Sequence, residues 1–412
     1  MFGIKLGLDN IVTLLHSVNN PHKNYGIVHV AGTNGKGSVC AFLRTMLIQA
    51  GYRVGCYTSP HLHQFNERIT VDNQPIADDD LAALVDELRT ANPHLPATFF
   101  EFTTALALLY FARRQVDIVL LEVGMGGRLD ATNVVTPLVS VITPVSNDHG
   151  CYLGDSLAHI GAEKGGIIKA HVPVVIAKQQ PDVQAVLENI AADKMAPTWC
   201  YGRDFQCCVG VHGIDVISAQ HSWYGLQPQL LGVHQQQNLA AALMALNCLS
   251  ASGYPVSDAD VAQAVAQTTW PGRLEWIVKD TVPFLLDGAH NEAGATALAA
   301  YLSDYLQQHG VNKVRLLAGF KADKDVTAIL MQLLPLTQQV YAVAPPIEQA
   351  YPVADVVAHV VAYSAHEHIA VSGYPDVVAA LHAAQQDCRA GEIVVVAGSL
   401  FLVAACREYL IS

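Results

Sequence analysis

The sequence has little charge, and its positive charge is not concentrated anywhere. Only 14% of the 412 residues are Asp, Glu, Lys or Arg, and 36 acidic residues against 23 basic ones give a formal net charge of −13. No run of Lys or Arg occurs, whereas proteins that bind nucleic acids present a basic surface. These absences argue against a nucleic acid or an anionic membrane as the partner.

Cysteine pairs with the spacing of disulfide or zinc motifs are also missing. The nine cysteines include no C-x-x-C pair, and an odd, scattered set does not indicate a disulfide framework. The longest apolar run, from Ile393 to Cys406, is too short to span a bilayer and contains Gly398. The first residues include Lys5 and Asp9 and lack a secretion signal. We therefore expect a cytoplasmic protein without a membrane partner.

The chain is long enough for two domains of α/β type. Hydrophobic residues make up 51% of it, and 412 residues exceed the usual size of one hydrophobic core. Short β-rich apolar segments alternate with helical patterns, which predicts parallel sheets covered by helices. The turn Pro271-Gly272 is the best boundary, because Pro and Gly interrupt regular structure. We expect domains at 1–272 and 273–412.

The predicted elements follow this division. In the first domain, strands are predicted at 27–31, 54–58, 116–123, 138–143 and 172–177, a helix at 38–50 ended by Gly51, a small β insertion within 195–231 and a helix at 238–249. In the second domain, strands are predicted at 284–286, 314–318, 340–343 and 393–397, with a helix at 294–306.

One glycine-rich segment is typical of a phosphate-binding loop. It follows a predicted strand, leads into a predicted helix, and reads Gly32-Thr33-Asn34-Gly35-Lys36-Gly37-Ser38. Its glycines let the backbone curl so that N–H groups point at a polyphosphate, and the helix N-terminus favours anions. Lys36 would add a positive charge, and Ser38 could offer its hydroxyl to Mg²⁺. The alternative is a strand-to-helix turn whose glycines serve close packing alone.

The loop departs from the common G-x-x-x-x-G-K-[ST] pattern, because Gly37 stands between Lys36 and Ser38. In this it resembles the phosphate loop of the folylpolyglutamate synthase and dihydrofolate synthase family of the Mur ligase superfamily. The resemblance extends along nearly the whole chain, in family order, through the segments Thr58-Ser59-Pro60-His61-Leu62, Asn66-Glu67-Arg68-Ile69, Phe99-Phe100-Glu101-Phe102, Glu122 to Asn133, Asp148-His149, Glu163 to Ile167, Pro271-Gly272-Arg273, Asp287 to Asn291 and Gly398-Ser399-Leu400.

The resemblance implies a fold and a reaction. The fold is a P-loop-containing, Mur-ligase-like ATP-binding domain with a mostly parallel sheet, followed by a smaller Rossmann-like α/β domain. The reaction is ATP-dependent addition of L-glutamate, through an acyl phosphate, to dihydropteroate and/or to the γ-carboxylate of tetrahydrofolate and its polyglutamates. It implies a place in folate biosynthesis and one-carbon metabolism. We expect a monomer whose partners are these small molecules.

The resemblance also implies two Mg²⁺ sites, with Ser38 at the first and Glu122 and His149 at the second. Glu122 ends a predicted strand, and that edge of a parallel sheet is where ligands bind. A carboxylate there suits Mg²⁺, although a capping or ion-paired Glu122 is the alternative. The resemblance implies that Lys164 reacts with CO₂ to form a carbamate. The alternative is an unmodified cation near the phosphates or the substrate carboxylate.

For the nucleotide, the resemblance implies that Asn238 lies near the adenine and Arg273 reaches the β- and γ-phosphates. Asp287 and His290 would contact the ribose and the base. The alternative for Asp287-Gly288 is a turn that merely ends a strand. These residues join Lys36 in the expected ATP site.

For the acceptor, the resemblance implies a pterin pocket at Thr98, Phe100 and Asp130, where Asp130 would accept from pterin N–H groups and Phe100 would stack. The alternatives are a core aromatic for Phe100 and a loop cap for Asp130. The remaining assignments are Ser59 and Arg68 on the acceptor side and Ser399 for glutamate.

Two other classes of protein share parts of this pattern. Mur ligases of cell-wall synthesis use the same chemistry, but they usually carry an N-terminal domain for a UDP-sugar, and a phosphate loop beginning at Gly32 leaves no room for one. A non-ligase P-loop ATPase is the second alternative. It would have no reason to combine this loop with a second domain that contacts ATP.

Overall fold

The computed structural model describes residues 7–147, 156–364 and 368–412. It divides into two compact units. The first comprises Met1–Gln229 and His234–Thr269, and the second comprises Leu230–Val233 and Trp270–Ser412. The functional assignment of 1–272 and 273–412 as separate domains stays a prediction.

The first unit is built on an eight-stranded sheet. Its strands are β1 (Gly26–Ala31), β2 (Val54–Tyr57), β3 (Ile69–Val71), β4 (Gln74–Pro75), β5 (Ile118–Glu122), β6 (Val139–Ile142), β7 (Val174–Ile176) and β8 (Thr198–Cys200). They are ordered β4-β3-β2-β5-β1-β6-β7-β8. In the part of the sheet ordered β2-β5-β1-β6-β7-β8, all neighbouring strands are parallel. At the other edge, β3 pairs antiparallel with β2, and β4 pairs antiparallel with β3. The predicted parallel α/β architecture is therefore confirmed.

The helices of this unit cover both faces of the sheet, as the nearly continuous burial of its strands requires. They are α1 (Asp9–Ser17), α2 (Lys36–Gln49), α3 (Asp78–Ala91), α4 (Phe99–Arg113), α5 (Leu157–Gly165), α6 (Pro181–Asp193), α7 (Val233–Ala251) and α8 (Asp258–Val265). Gly51 follows α2 with φ +89°, the left-handed conformation expected of a residue just beyond a helix end.

Two predictions for this unit need correction. The segment predicted as a separate β insertion contributes β8 to the main sheet, and only β9 (Phe205–Gly210), β10 (Gly213–Ser218) and β11 (Trp223–Leu226) form a small antiparallel sheet. Asn238 does not open a helix, because α7 starts at Val233. Its polar first turn, His234-Gln235-Gln236-Gln237, obscured the apolar periodicity that marks a helix start.

The second unit contains a six-stranded sheet ordered β12-β13-β17-β14-β15-β16, parallel except for β12. Its strands are β12 (Glu275–Lys279), β13 (Val282–Leu286), β14 (Val314–Ala318), β15 (Thr337–Ala342), β16 (Ala370–Gly373) and β17 (Val394–Ala397). Its helices are α9 (Glu292–His309), α10 (Val326–Leu333), α11 (Val353–Tyr363), α12 (Val377–Asp387) and α13 (Leu400–Ile411). No helix in the described part of the chain is both long and apolar enough to cross a bilayer.

Helix α2 ties the glycine-rich loop to the core of the first unit. The helix begins at Lys36, immediately after the loop, and Leu43 within it is fully buried. We predict that Leu43→Ala lowers the free energy of unfolding of this unit by about 3 kcal/mol, because it removes buried apolar contacts and leaves a cavity. Urea-induced unfolding measures the change. Val12→Ala, at a side chain that is 52% exposed, is the control and should cost less than about 0.5 kcal/mol. Equal effects would contradict the assignment of Leu43 to the core.

Candidate active site

The glycine-rich loop requires glycine for both conformation and space. Gly32 has φ +146° and Gly35 has φ +89°, which side-chain-bearing residues rarely adopt. A Cβ at Gly32 would collide with the Thr143 hydroxyl, and one at Gly35 would collide with the Asn238 side-chain amide. Asn238 is buried in α7 and donates to Gln235 at 3.0 Å. The predicted nucleotide residue Asn238 therefore lies directly against the loop.

A second segment holds the loop from the neighbouring strand. The backbone N–H groups of Thr33 and Asn34 donate to the Pro144 carbonyl at 3.0 and 3.3 Å. The Thr33 hydroxyl donates to the Ser146 carbonyl at 3.0 Å. Sequence reasoning missed Pro144 and Ser146. The available signal was their position just after β6, which neighbours β1 in the sheet, so that both carboxyl ends meet at one edge.

Two lysines from different helices converge on the loop. The Nζ of Lys36 donates to the carbonyls of Gly32 and Thr33, at 3.1 Å each. The Nζ of Lys164, a residue of α5 that is only 5% exposed, donates to the same Gly32 carbonyl at 2.8 Å. The structure thus brings together, at the Gly32 carbonyl, two predicted lysines that are 128 positions apart in the sequence.

Glu122 ends β5, and it pairs with Val30 of β1 just before the glycine-rich loop. Its carboxylate is 5% exposed and accepts a hydrogen bond from the Ser59 N–H at 3.0 Å. Ser38 lies in the first turn of α2 and is 2% exposed. Three predicted residues therefore lie at the same carboxyl edge of the sheet: Glu122 at the end of β5, Ser59 just after β2, and Ser38 in the first turn of the helix that follows β1.

The donor set at this edge fits Mg²⁺ held together with a nucleotide. Ser38 and Glu122 supply oxygen ligands, which Mg²⁺ prefers. Within the described ranges no group of three or more His, Cys, Asp or Glu is arranged to hold a metal. A metal here would therefore depend on phosphate oxygens and water for its other ligands, as is usual for Mg²⁺ in nucleotide sites. His149, the other predicted ligand, lies outside the described residues.

The predicted pterin residues Thr98 and Phe100 lie at the start of α4. The Thr98 hydroxyl accepts from the Glu101 N–H at 3.2 Å and caps the helix. The Phe100 ring lies 6.0 Å from that of Tyr57, and a Cβ at Gly124 would collide with it. Gly124 therefore lets the loop after β5 approach the far end of the Phe100 ring, at Cζ.

Asp130 braces the same loop from within. Its carboxylate accepts from the Met125 N–H at 2.9 Å and from the Thr132 N–H and hydroxyl at 3.0 and 2.6 Å. Burial raises the pKa of Asp130, and these hydrogen bonds oppose the rise. Thr132 in turn accepts from His29 Nε2 at 2.8 Å, and burial lowers the pKa of His29 to about 3. A neutral histidine and a buried carboxylate thus hold the loop in one shape.

In the second unit, Asp287 organises the turn that follows β13. Its carboxylate accepts from the Leu274 N–H and the Ala289 N–H, both at 2.9 Å. His290 Nδ1 donates to the Gly288 carbonyl at 2.8 Å, because a carbonyl oxygen can only accept. In a neutral ring Nδ1 therefore carries the proton, and Nε2 is the acceptor. The Arg273 guanidinium lies against Gly288, where a Cβ would collide with Nη1. The structure therefore brings Arg273, Asp287 and His290 together.

Ser399 lies at the same edge of the second sheet, just after β17. The strand β17 is the parallel neighbour of β13, and the Gly398 N–H donates to the Ala289 carbonyl at 2.9 Å. Ser399 is 3% exposed and caps α13, since its hydroxyl accepts from the Phe401 N–H at 3.2 Å. Its position beside the Asp287 turn fits a ligand-facing edge.

A glycine loop after a central parallel strand, two lysines that contact it and a buried acidic residue on the adjacent strand are typical of a nucleotide-dependent enzyme. The family model of the Mur ligase middle domain matches residues 30–246. A second model, described as the C-terminal domain of dihydrofolate synthetase, matches residues 272–408.

Relatives match the chain over nearly its whole length. The dihydrofolate synthase/folylpolyglutamate synthase of Bacillus subtilis is 34% identical, over 99% of this chain and 96% of its own. The structure of Escherichia coli FolC in complex with DHPP and ADP superposes with a TM-score of 0.90 at 31% identity, covering 99% of this chain and 94% of that one. The Yersinia pestis bifunctional folylpolyglutamate synthase/dihydrofolate synthase, complexed with AMPPNP and Mn ion, gives a TM-score of 0.89 at 30% identity, with coverages of 99% and 94%.

The chain belongs to the dihydrofolate synthase/folylpolyglutamate synthase family. The predicted family, the predicted fold class and the predicted class of enzyme, an ATP-dependent acid–amino-acid ligase that works with a divalent metal, are confirmed. The individual site residues remain predictions.

The fit between Gly35 and Asn238 can be tested with a matched pair of variants. We predict that Gly35→Ala weakens nucleotide binding at least about tenfold, because the methyl group displaces the loop or Asn238. Gly51→Ala has the same φ of +89° but no atom within 4 Å of the added methyl group. It should lose about 1 kcal/mol of stability while keeping nucleotide affinity. Titration calorimetry with ADP measures the affinities, and unchanged affinity in Gly35→Ala would refute this role of the loop.

Proposed function

We propose that this chain uses ATP to join L-glutamate to dihydropteroate, to the γ-carboxylate of tetrahydrofolate and its polyglutamates, or to both. The observation that carries the proposal is the convergence of Lys36 and Lys164 on the glycine loop beside buried Glu122. It occurs in a chain matched from end to end by relatives named for these two activities. Such a site suits transfer of a phosphoryl group to a carboxylate.

The reaction has two steps. The γ-phosphoryl group of ATP passes to the acceptor carboxylate, which gives an acyl phosphate and ADP. The glutamate amine then attacks the acyl carbon, phosphate leaves, and the amine loses a proton. Lys36 stabilises the charge that develops on the transferred phosphoryl group, and Arg273 does the same with a fixed guanidinium. Catalysis rests on positioning and charge neutralisation.

We assign Ser38 to a first Mg²⁺ site and Glu122 with His149 to a second. The burial of Ser38 and Glu122 at one sheet edge supports the assignment. When bound, Mg²⁺ supplies charge neutralisation and orientation of the phosphates. The chain itself contributes the loop N–H groups of Gly32, Gly35 and Gly37 to the polyphosphate. The N–H groups of Thr33 and Asn34 donate to the Pro144 carbonyl and hold the loop in shape.

On the nucleoside side we assign Asn238, Asp287 and His290. The contact of Asn238 with Gly35 supports a place near the phosphates as well as the adenine. Each carboxylate oxygen of Asp287 accepts from one backbone N–H group, which shapes the turn from which His290 contacts the base. A second lone pair on each oxygen is left for the ribose, the contact that we assign to Asp287. His290 Nε2 is the acceptor of the neutral ring.

On the acceptor side, Phe100 stacks on the pterin, while Thr98 and Asp130 hold the elements around it. Ser59 and Arg68 line the path to the acceptor carboxylate, and Ser399 contacts the incoming glutamate. We propose that the protein acts as a monomer. The eight described cysteines are free thiols, which supports a reducing, cytoplasmic compartment.

Product mass analysis tests the function. The protein is incubated with ATP, Mg²⁺, L-glutamate and either dihydropteroate or tetrahydrofolate. We expect products heavier by glutamate residues with at least one acceptor, and ADP release that requires both the acceptor and glutamate. If ADP is released in the absence of both the acceptor and glutamate, and no glutamylated product forms, the protein is an ATPase and the proposal is refuted.

Two variants connect this activity to the site. Lys36→Ala removes the cation at the phosphates and Glu122→Ala removes a metal ligand, so each should lower kcat about a hundredfold or more without unfolding the protein. Thermal unfolding checks the fold. Near-normal turnover by either variant, at saturating ATP and Mg²⁺, would refute that residue's role.

We further propose that Lys164 carries a carbamate, formed when its neutral amine attacks CO₂ and releases a proton. The modification turns a buried cation into an anion, and an anion suits a site that holds Mg²⁺. The carbamate nitrogen keeps an N–H that can donate to Gly32, the contact seen at 2.8 Å. Lys164 then balances metal charge, while Lys36 remains the phosphate cation.

Carbamylation predicts that isotope-labelled bicarbonate produces a carbamate signal in carbon NMR of the wild type and none in Lys164→Arg. Arginine keeps the positive charge but does not form the carbamate, so the variant should lose about a hundredfold in kcat. Full activity of Lys164→Arg, or a labelled signal that persists in it, would show that Lys164 acts as a cation only.

A further inference from the structure

The segment between β2 and β3 is a compact loop shaped by one carboxylate. Glu67 accepts from the backbone N–H groups of Leu62 at 2.8 Å, His63 at 3.0 Å and Gln64 at 2.9 Å. Three backbone donors on one carboxylate leave the loop little freedom, since each bond to a charged acceptor is strong. The loop begins at Ser59, whose N–H donates to Glu122, and ends at Arg68.

Within this loop, Arg68 is held by a histidine. The Nε of Arg68 donates to Nδ1 of His61 at 2.9 Å. Arginine can only donate, so Nδ1 is an acceptor and the proton of the neutral ring is on Nε2. Burial and the nearby charge of Arg68 lower the pKa of His61, so the ring is neutral at neutral pH, although Glu67 opposes this lowering.

Two aromatic rings complete the setting of Arg68. The guanidinium carbon lies 5.8 Å from the centre of the Phe65 ring and 5.9 Å from that of Phe99. The two rings meet edge to face at 5.9 Å, and His61 meets Phe65 edge to face at 6.3 Å. These contacts hold the plane of the guanidinium but do not decide which of its edges faces outward.

The hydrogen bond from Nε decides that orientation. Because Nε donates to His61, the end of the guanidinium that carries the two Nη groups is left for another acceptor. Burial lowers the pKa of Arg68, and attraction to Tyr57 and then to Glu122 opposes that lowering. The same loop contacts Glu122 directly, through the Ser59 N–H at 3.0 Å. A paired set of Nη donors matches a carboxylate in two-point geometry.

We propose that His61 is a positioning residue, which by accepting from Arg68 Nε directs the Nη groups of Arg68 toward the carboxylate of the acceptor acid. The inference rests on the proposed function and names the part of the chain that orients the acceptor. His61 itself does not touch the reacting atoms. Its contribution therefore appears in acceptor binding and hardly at all in turnover once the acceptor is bound.

The test compares two substitutions of His61. His61→Phe keeps a ring against Phe65 but removes the acceptor, whereas His61→Asn loses the ring but keeps an oxygen close to the position of Nδ1. We expect His61→Phe to raise the acceptor KM, and its Kd measured by calorimetry with ADP and Mg²⁺, about tenfold. The kcat and the ATP KM should change less than about twofold, and His61→Asn should restore the acceptor KM to within about threefold of the wild type.

A double-mutant cycle with Arg68→Lys, which retains the charge but has no Nε–H, identifies the partner. The double variant His61→Phe/Arg68→Lys should bind the acceptor no worse than Arg68→Lys alone. His94→Phe, at an exposed position outside the loop, is the control and should match the wild type. If His61→Phe does not fold, His61→Leu replaces it.

Three results would overturn the inference. The first is an acceptor Kd that does not change in His61→Phe. The second is an acceptor KM in His61→Asn that is as high as in His61→Phe. The third is a loss of acceptor affinity in the double variant that equals the sum of the losses in the two single variants. Absence of all ligation by the wild type would overturn the proposed function and this inference with it. Ligation by the wild type together with any of the three results would overturn the inference alone.

Discussion

The tight turn between β1 and α2 is the constraint on which the rest of the first unit depends. Gly35 adopts φ +89° with its Cα against the Asn238 amide, and α2 begins at the next residue, Lys36. The turn leaves the Gly32 carbonyl facing two lysines, 3.1 Å from Lys36 and 2.8 Å from Lys164. Because α2 is packed into the core through residues such as Leu43, the loop cannot shift without moving a buried helix.

Carboxylates perform a second, repeated task at the ligand edges of both sheets. Glu67 and Asp130 each accept hydrogen bonds from at least two backbone N–H groups of their own loop. Asp287 accepts from Ala289 in its own turn and from Leu274 just before β12. Such loops have few apolar side chains to bury, so charged acceptors that saturate backbone donors replace a hydrophobic core as the source of order. Many acidic side chains of this protein therefore stabilise its loops. In the proposed function, only a few cationic side chains bind the negative groups of ATP and the acceptor.

Sequence reasoning found the parallel strands and the phosphate loop, because a buried strand followed by Gly-rich sequence and a helix has few other interpretations. It missed β3, β4, β12 and β16, which are strands of two to five residues at, or next to, the edges of the two sheets. It also placed the start of α7 too late, since the first turn of that helix is rich in Gln. Family resemblance named the site residues but not their contacts, and it left the choice between a pterin ligand and a loop brace at Asp130 open.

By itself, the sequence determined the family, the α/β class and the type of reaction, because these depend on local patterns: apolar strands, a glycine turn before a helix, and motifs in a recognisable order. Only the tertiary structure decided which residues act together. Lys164 reaches Gly32 across 132 positions of sequence, and Asn238 reaches Gly35 from a distant helix. Even the short-range pair of His61 and Arg68 depends on the loop geometry that Glu67 imposes. Such contacts follow from how buried elements pack in three dimensions, and no local pattern encodes them.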